Sequence, residues 1–270
     1  MGLITGYSIF TKPWKQEKPE ELGKIVKGLG FDSIEYPLRE GYQADLASAK
    51  TSLKALAGVL ESMGVGIASV ASTTDEYVFE ACAEAKVPLI RIMMNMDLNK
   101  GYMESEKAMK KDIERFLPLC ERYGVKVGVQ QHYGAMINNS MEMRHLVEGY
   151  DPKYVGGIWD AAHSSLAGEE PEQALDIIWD YLALINFKAG YYRRMNGPEA
   201  EKAMFKPHFT TGPNGIFPWS RAVNFIVKKG YKGIINMPAE YTDGANVIPY
   251  IKEDLPFLKN LFKEAEANKQ

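Results

Sequence analysis

Short apolar, β-rich runs alternate with longer amphipathic stretches about eight times along these 270 residues, and this alternation constrains the fold more than any other feature. The apolar runs predict strands over 3–9, 31–36, 65–71, 88–94, 125–130, 155–159, 182–188 and 233–237. Spacings of three and four predict helices over 19–29, 46–63, 75–85, 105–123, 140–147, 171–179 and 219–229, with a closing helix over 250–267. Leu22, Ile25, Val26 and Leu29 set the period of the first helix. Gly30, Gly64, Gly124 and Gly230 each follow a helix, where a left-handed cap belongs. Regular strand–helix alternation means a parallel sheet with crossover helices. Eight such units in this length fit a closed (β/α)8 TIM barrel of about 250 residues, with residues 1–270 as one domain. An open doubly wound sheet would place a glycine-rich phosphate turn after the first strand. The turn here reads Phe10-Thr11-Lys12-Pro13-Trp14. There is no linker, low-complexity tract or short repeat.

Composition narrows the partners. A formal net charge of -3 gives no basic field for nucleic acid. No apolar run approaches the roughly 18 residues of a membrane span. The start, Met1-Gly2-Leu3-Ile4, lacks the basic and apolar regions of a signal peptide, so a cytoplasmic location is expected. Cys82 and Cys120 fall in predicted helices without CxxC spacing and read as reduced, buried small residues. The expected partner is a small molecule rather than nucleic acid or membrane. A homo-oligomer is compatible with the sequence but not specified by it.

In a barrel of this type the strand C-termini line one mouth, where any chemistry sits. Strand five ends Gln130-Gln131-His132, strand six Asp160-Ala161-Ala162-His163, strand seven Asn186-Phe187-Lys188, and strand eight runs into Pro238-Ala239-Glu240-Tyr241. Four consecutive strands thus end in groups able to ligate a cation or move a proton. Hard divalent ions favour oxygen donors, so Asp160 and Glu240 would supply charge while Gln130 and Asn186 supply neutral oxygens. His163 is a candidate acid, base or hydroxyl ligand. Period-two alternation puts His132 on the side of Gln130, and Lys188 on the side of Asn186. Lys188 could polarise a carbonyl or act as a base. Each has a plainer rival: a helix cap for Asp160, a loop charge for Glu240, a packed histidine, a salt-bridged lysine. Tyr7, Trp14, Tyr36 and Trp159 could form an apolar wall against sugar faces, or simply pack in the core. Glu35 and Arg39 suggest a rim ion pair, and His145 lies inside a helix as a structural or exposed residue. The long connection over 190–218 carries Tyr191, Tyr192, Arg193, Arg194 and His208 and reads either as a substrate-facing loop, with Arg193 a binding candidate, or as a solvated insertion.

Several of these stretches carry a resemblance. Phe31-Asp32-Ser33-Ile34-Glu35, the Asp160-x-x-His163 step with Gly168 behind it, Trp219, Gly230-Tyr231-Lys232-Gly233 and Glu240 together resemble the xylose isomerase-like barrel family, over nearly the whole chain. That family includes ketose 3-epimerases, inosose dehydratases and, more distantly, endonuclease-IV-type repair enzymes. The resemblance implies a metal set of Glu, Asp, His and Glu on strands five to eight. Asp160 and Glu240 match it, while Gln130 and Asn186 stand where the first Glu and the His belong. Amides for a carboxylate and an imidazole would shift the site from transition metals towards magnesium or calcium, or lose the metal. The expected cofactor is accordingly a divalent ion (Mg, Mn or Ca), if any. The resemblance also implies enolisation with two glutamates as opposed acid and base, which Gln130 cannot serve.

Three functions follow as expectations. The first is a sugar or cyclitol isomerase or epimerase in which a cation, or Lys188 with His163, polarises a carbonyl and Glu240 takes the adjacent proton. The second is a lyase or dehydratase using the same deprotonation followed by β-elimination, which needs only one strong base. The third is a non-catalytic sugar-binding protein with a decayed metal site. Nuclease chemistry is disfavoured because all four histidines fall at 132 and beyond, leaving none on the early strands for a trinuclear zinc site.

Overall fold

The structure, a computed structural model, describes residues 4–269, so the predicted strand start at residue 3 lies outside the described residues. In chain order the elements are β1 (Ile4–Phe10), α1 (Pro19–Leu29), β2 (Ser33–Pro37), α2 (Ala49–Ser62), β3 (Gly66–Ala71), α3 (Glu76–Glu84), β4 (Leu89–Ile92), α4 (Tyr102–Tyr123), β5 (Lys126–Gln130), α5 (Ser140–Val147), β6 (Val155–Asp160), α6 (Ala161–Leu166), α7 (Pro171–Ile178), β7 (Leu182–Asn186), β8 (Ala189–Arg194), β9 (Phe205–Thr210), α8 (Trp219–Lys229), β10 (Gly233–Met237) and α9 (Val247–Ala267). Strands β1 to β7 and β10 close into a barrel in the order β1-β10-β7-β6-β5-β4-β3-β2, and β1 pairs in parallel with both β10 and β2. The (β/α)8 barrel expected from the alternation is the fold observed.

Local chemistry explains the elements. Every residue of β2, β4 and β6 is buried, as strands covered on both faces must be, which is why they read as apolar runs. Helix α1 begins at Pro19, whose missing N–H is an orphan donor at that position anyway, and carries Glu20 and Glu21 in the positive first turn. It stops at Gly30, whose φ of 90° only glycine takes without strain. Cys82 and Cys120 are buried and free, and burial pushes both thiols up to about 12. Among the described residues no helix is long and apolar enough to cross a membrane.

Three differences from the sequence reading bear on the site. The stretch over 190–218 is not a loop. Most of it is an antiparallel hairpin, β8 with β9, paired from Ala189–Thr210 out to Arg194–Phe205. A six-residue helix, α6, follows β6 directly, and strand seven stops at Asn186 rather than at 188. Backbone packing is tight at the foot of β6, where a methyl on Gly156 would press into the Tyr181 carbonyl oxygen and lie 3.2 Å from the Ala183 side chain. A carbonyl cannot swing aside, so Gly156→Ala should destabilise the chain by about 1–3 kcal/mol, measured by urea denaturation. A change below about 0.5 kcal/mol would show that the strand can shift to make room.

Candidate active site

The barrel strands end in a closed annulus of polar side chains. Arg91 of β4 donates from Nε to Glu35 Oε1 of β2 at 2.7 Å, and from Nη1 to Gln130 Oε1 of β5 at 2.6 Å. Gln130 Nε2 donates to Asp160 Oδ2 of β6 at 3.0 Å, and Asn186 Nδ2 of β7 reaches the same oxygen at 3.4 Å. Asn236 Nδ2 of β10 closes the circuit, donating to Asn186 Oδ1 at 2.9 Å and to Glu35 Oε2 at 3.2 Å. Ser69 of β3 donates to Glu35 Oε1 at 3.3 Å, and Phe10 of β1 puts its ring centroid 4.6 Å from the Arg91 guanidinium carbon. Each of the eight barrel strands therefore contributes one side chain.

The annulus has a fixed polarity. A guanidinium only donates, so Gln130 must turn its oxygen to Arg91 and its NH2 to Asp160. Asn186 likewise gives its NH2 to Asp160 and so takes a hydrogen bond from Asn236 on its oxygen. The other oxygen of Asp160 accepts the backbone N–H groups of Ala162 and His163 at 3.1 and 3.2 Å, capping α6. Its cap role and its place in the mouth are thus one arrangement. Burial raises the Asp160 pKa, against the pull of Lys188 and these hydrogen bonds.

Beside the annulus stands an ion pair. Lys188, 7% exposed, donates to Glu240 Oε2 at 3.2 Å, and the more exposed Lys12 holds Oε1 at 2.6 Å. Burial alone would raise the Glu240 pKa, but Lys188, then Lys12, overcome it and hold the carboxyl at about 2. Lys188 Nζ also sits 3.6 Å from the ring centroid of Phe209 on β9. Phe209 is fixed there because its N–H donates to Thr242 Oγ1 at 2.8 Å and its carbonyl accepts from the Thr242 N–H at 3.0 Å. The hairpin is thus stitched to the loop that carries Glu240.

His132 and His163 complete the cluster, their ring centroids 4.3 Å apart, with Tyr133 and Phe209 packed around them. His132 Nδ1 faces the Tyr133 carbonyl at 2.9 Å, so it carries the proton and leaves the Nε2 lone pair. His163 is 1% exposed, and neither ring nitrogen has a partner among the described residues. Burial, then the charge of Lys188, drives its pKa well below the ordinary histidine value, and burial lowers that of His132 too. Both rings are neutral at physiological pH.

The remaining candidates scatter. Tyr7 does not reach the mouth: its ring packs edge-on against Phe262 of α9, with Lys259 above it. Trp14 and Trp159 lie in the core, and the Tyr36 hydroxyl accepts the Ala44 N–H. Arg193 is exposed on the hairpin. His145 pairs with Glu106 away from the mouth. Glu35 and Arg39 do not form the expected rim pair. Glu35 is 1% exposed and needs a buried cation, which Arg91 supplies, while Arg39 stays at the surface. Arg91 and Asn236 were missed, although a lone polar residue inside an apolar strand (Leu89-Ile90-Arg91-Ile92, Ile234-Ile235-Asn236-Met237) marks a side chain that must find a partner inside.

The donor set does not fit a divalent ion. The oxygens of Gln130 and Asn186 face Arg91 and Asn236, both amides offer N–H groups to Asp160, and both oxygens of Glu240 sit on ammonium groups. A guanidinium already supplies a positive charge within the ring. Among the described residues no group of three His, Cys, Asp or Glu side chains is placed to hold a metal.

Comparison with known proteins agrees with the fold. A family profile described as xylose isomerase-like TIM barrel matches residues 24–261. An inosose dehydratase from Bacillus licheniformis is 26% identical over 138 residues, 49% of this chain and 46% of that protein. The chain spans about half the length of the curated relatives it matches. The structure of an L-ribulose 3-epimerase superposes with a TM-score of 0.76 at 10% identity, covering 100% of this chain and 97% of that one. A crystal structure of the protein IOLI with a zinc atom gives 0.68 at 12% identity, covering 98% and 99%.

Proposed function

The chain belongs to the xylose isomerase-like TIM barrel family, and from that premise we propose that it is a lyase acting on a keto-sugar or keto-cyclitol, removing the proton next to the carbonyl and expelling the β-hydroxyl as water. The observation that carries this reading is the one-sidedness of the acid–base equipment. Gln130, which stands where the resemblance places the opposing glutamate, cannot take a proton and is locked by Arg91, while the Asp160 carboxylate is taken up by Gln130, Asn186 and the α6 N-terminus and that of Glu35 by Arg91, which leaves Glu240 as the base. Elimination needs only one group. Glu240 takes the proton from the α-carbon, and the carbonyl oxygen becomes an enolate oxygen held by the Lys188 ammonium. The same carboxyl then returns its proton to the departing hydroxyl, water leaves, and the product is an α-hydroxy enone, the enol of a 1,2-diketone, with Glu240 restored.

The Lys188–Glu240 contact supports this sequence electrostatically. At a pKa of about 2 the carboxylate is a weak base while both lysines face it. A substrate carbonyl that draws Lys188 away removes one of those cations, and Glu240 becomes more basic when the substrate is in place. His163, with two unpaired nitrogens, and His132, with one, bind substrate hydroxyls as neutral rings. The half-length similarity to inosose dehydratases supports the elimination reading.

The test is proton NMR of the protein incubated in D2O with a panel of keto-cyclitols and ketohexoses. The expected result is a vinyl signal, or the monodeuterated methylene signal of the diketone it tautomerises to, growing as substrate signals disappear. Inverted ketose with neither signal would replace elimination with epimerisation, and saturable binding without turnover would replace the enzyme with a binding protein.

A further inference from the structure

A cavity of about 560 Å3 opens at the C-terminal ends of β3 and β4, lined by Ser72, Thr73, Met94, Asn95 and Arg39, with Arg91 on its wall. Arg91 is unlike a surface arginine. It is 6% exposed, its Nε and Nη1 are committed to Glu35 and Gln130, and its flat face rests on Phe10. Nη2 has no acceptor among the described residues. Two of the three nitrogens are locked, and the third is presented without the loss of side-chain freedom that a flexible lysine would suffer. The charge is felt at the acid–base cluster, since Arg91 helps lower the pKa values of both Glu240 and His163.

We propose that the mouth works without a metal ion and that the Arg91 guanidinium is its fixed cation, receiving a substrate oxygen on Nη2. The part that Arg91 plays in turnover rests on the lyase reading above; the absence of a metal requirement does not. Two features of the ring carry the proposal. The side-chain oxygens of Glu35, Gln130, Asp160, Asn186 and Glu240 already accept hydrogen bonds, Asn236 Oδ1 being the ring oxygen left without a donor among the described residues, and Arg91 fixes the orientation of Gln130, so an ion ligated by Gln130 would have to displace the guanidinium and turn that amide over. In addition, a preorganised cation whose charge reaches Glu240 and His163 adds to the field that Lys188 supplies at the enolate oxygen, with no ion to bind or lose.

The experiment reads binding rather than turnover, so its failure is distinct from failure of the lyase reading. Protein dialysed against a chelator is titrated calorimetrically with Mn2+, Zn2+ and Mg2+, and then with oxalate, a planar dianion shaped like an enediolate, in metal-free buffer. No saturable metal binding and a saturable oxalate isotherm are expected. Stoichiometric binding of any of the three ions, lost in Asp160→Asn, would overturn the proposal. In the double variant Arg91→Gln/Glu35→Gln, which removes both buried charges together, oxalate should bind at least about tenfold more weakly, roughly 1.4 kcal/mol. Unchanged affinity would also overturn it. Arg91→Lys is the second variant, chosen because it retains the charge and the Glu35 partner. It should bind oxalate more weakly than the native protein, because an ammonium cannot hold two fixed partners and present a third donor in one plane.

Discussion

Arg91→Met should be the most destabilising single substitution at the mouth, lowering stability by about 3–5 kcal/mol, the range for removing one partner of a buried ion pair. Glu35, 1% exposed, would be left with only the Ser69 hydroxyl and the Asn236 amide at its carboxylate. Gln130 would lose the donor that fixes its orientation, which frees it to turn and exposes Asp160 to an amide oxygen in place of N–H. For a chain of this size the loss corresponds to a fall in Tm of roughly 6–20 °C. Urea denaturation followed by circular dichroism measures it. The control is Arg91→Gln/Glu35→Gln, which leaves no bare charge and should recover most of the loss. If the single variant loses less than about 1 kcal/mol, water or another cation reaches Glu35 and the annulus is not the closed circuit described.

That circuit also shows where sequence reasoning stops. The barrel was legible because β2, β4 and β6 are buried along their whole length, the other barrel strands are buried towards their C-terminal ends, and several helices end at glycine, so local chemistry and global fold agree along most of the chain. The positions of Gln130, Asp160 and Asn186 were legible for the same reason, since strand ends follow from strand assignments. Their hydrogen-bond partners were not. Arg91 spans from β4 to both Glu35 on β2 and Gln130 on β5, and such cross-barrel reach depends on side-chain length and tilt rather than on spacing. The β8–β9 hairpin was hidden for another reason. Tyr192, Arg193, Arg194 and Phe205 are exposed, so its strands bury little and lack the apolar alternation that announces a strand. Yet this hairpin delivers Phe209 to Lys188, placing a residue from the least readable segment in the middle of the cluster.

Glu240→Gln should lower kcat by about 10²–10⁴-fold, the ordinary contribution of a general acid–base group, with little change in KM. The amide keeps the shape, and its one oxygen can still accept from one of Lys12 and Lys188, but it takes no proton. Lys188→Met should lower kcat/KM by a similar factor through the lost carbonyl contact, and it would also leave Glu240 with Lys12 as its only close cation. The pH profile separates these roles from structural ones. Glu240 is held at about 2 and both histidines are already neutral, so native kcat/KM should show no acid limb at the ordinary histidine value near 6.5. In Lys188→Met the carboxyl is released upward, so any acid limb moves to higher pH. The stability contribution has the same sign. Because the folded pKa of Glu240 lies below the ordinary carboxylate value near 4.3, its ion pairs stabilise the protein fully above that pH and fade as pH falls towards 2. A native profile that drops through 6.5 would assign the base to a histidine and remove Glu240 from that role.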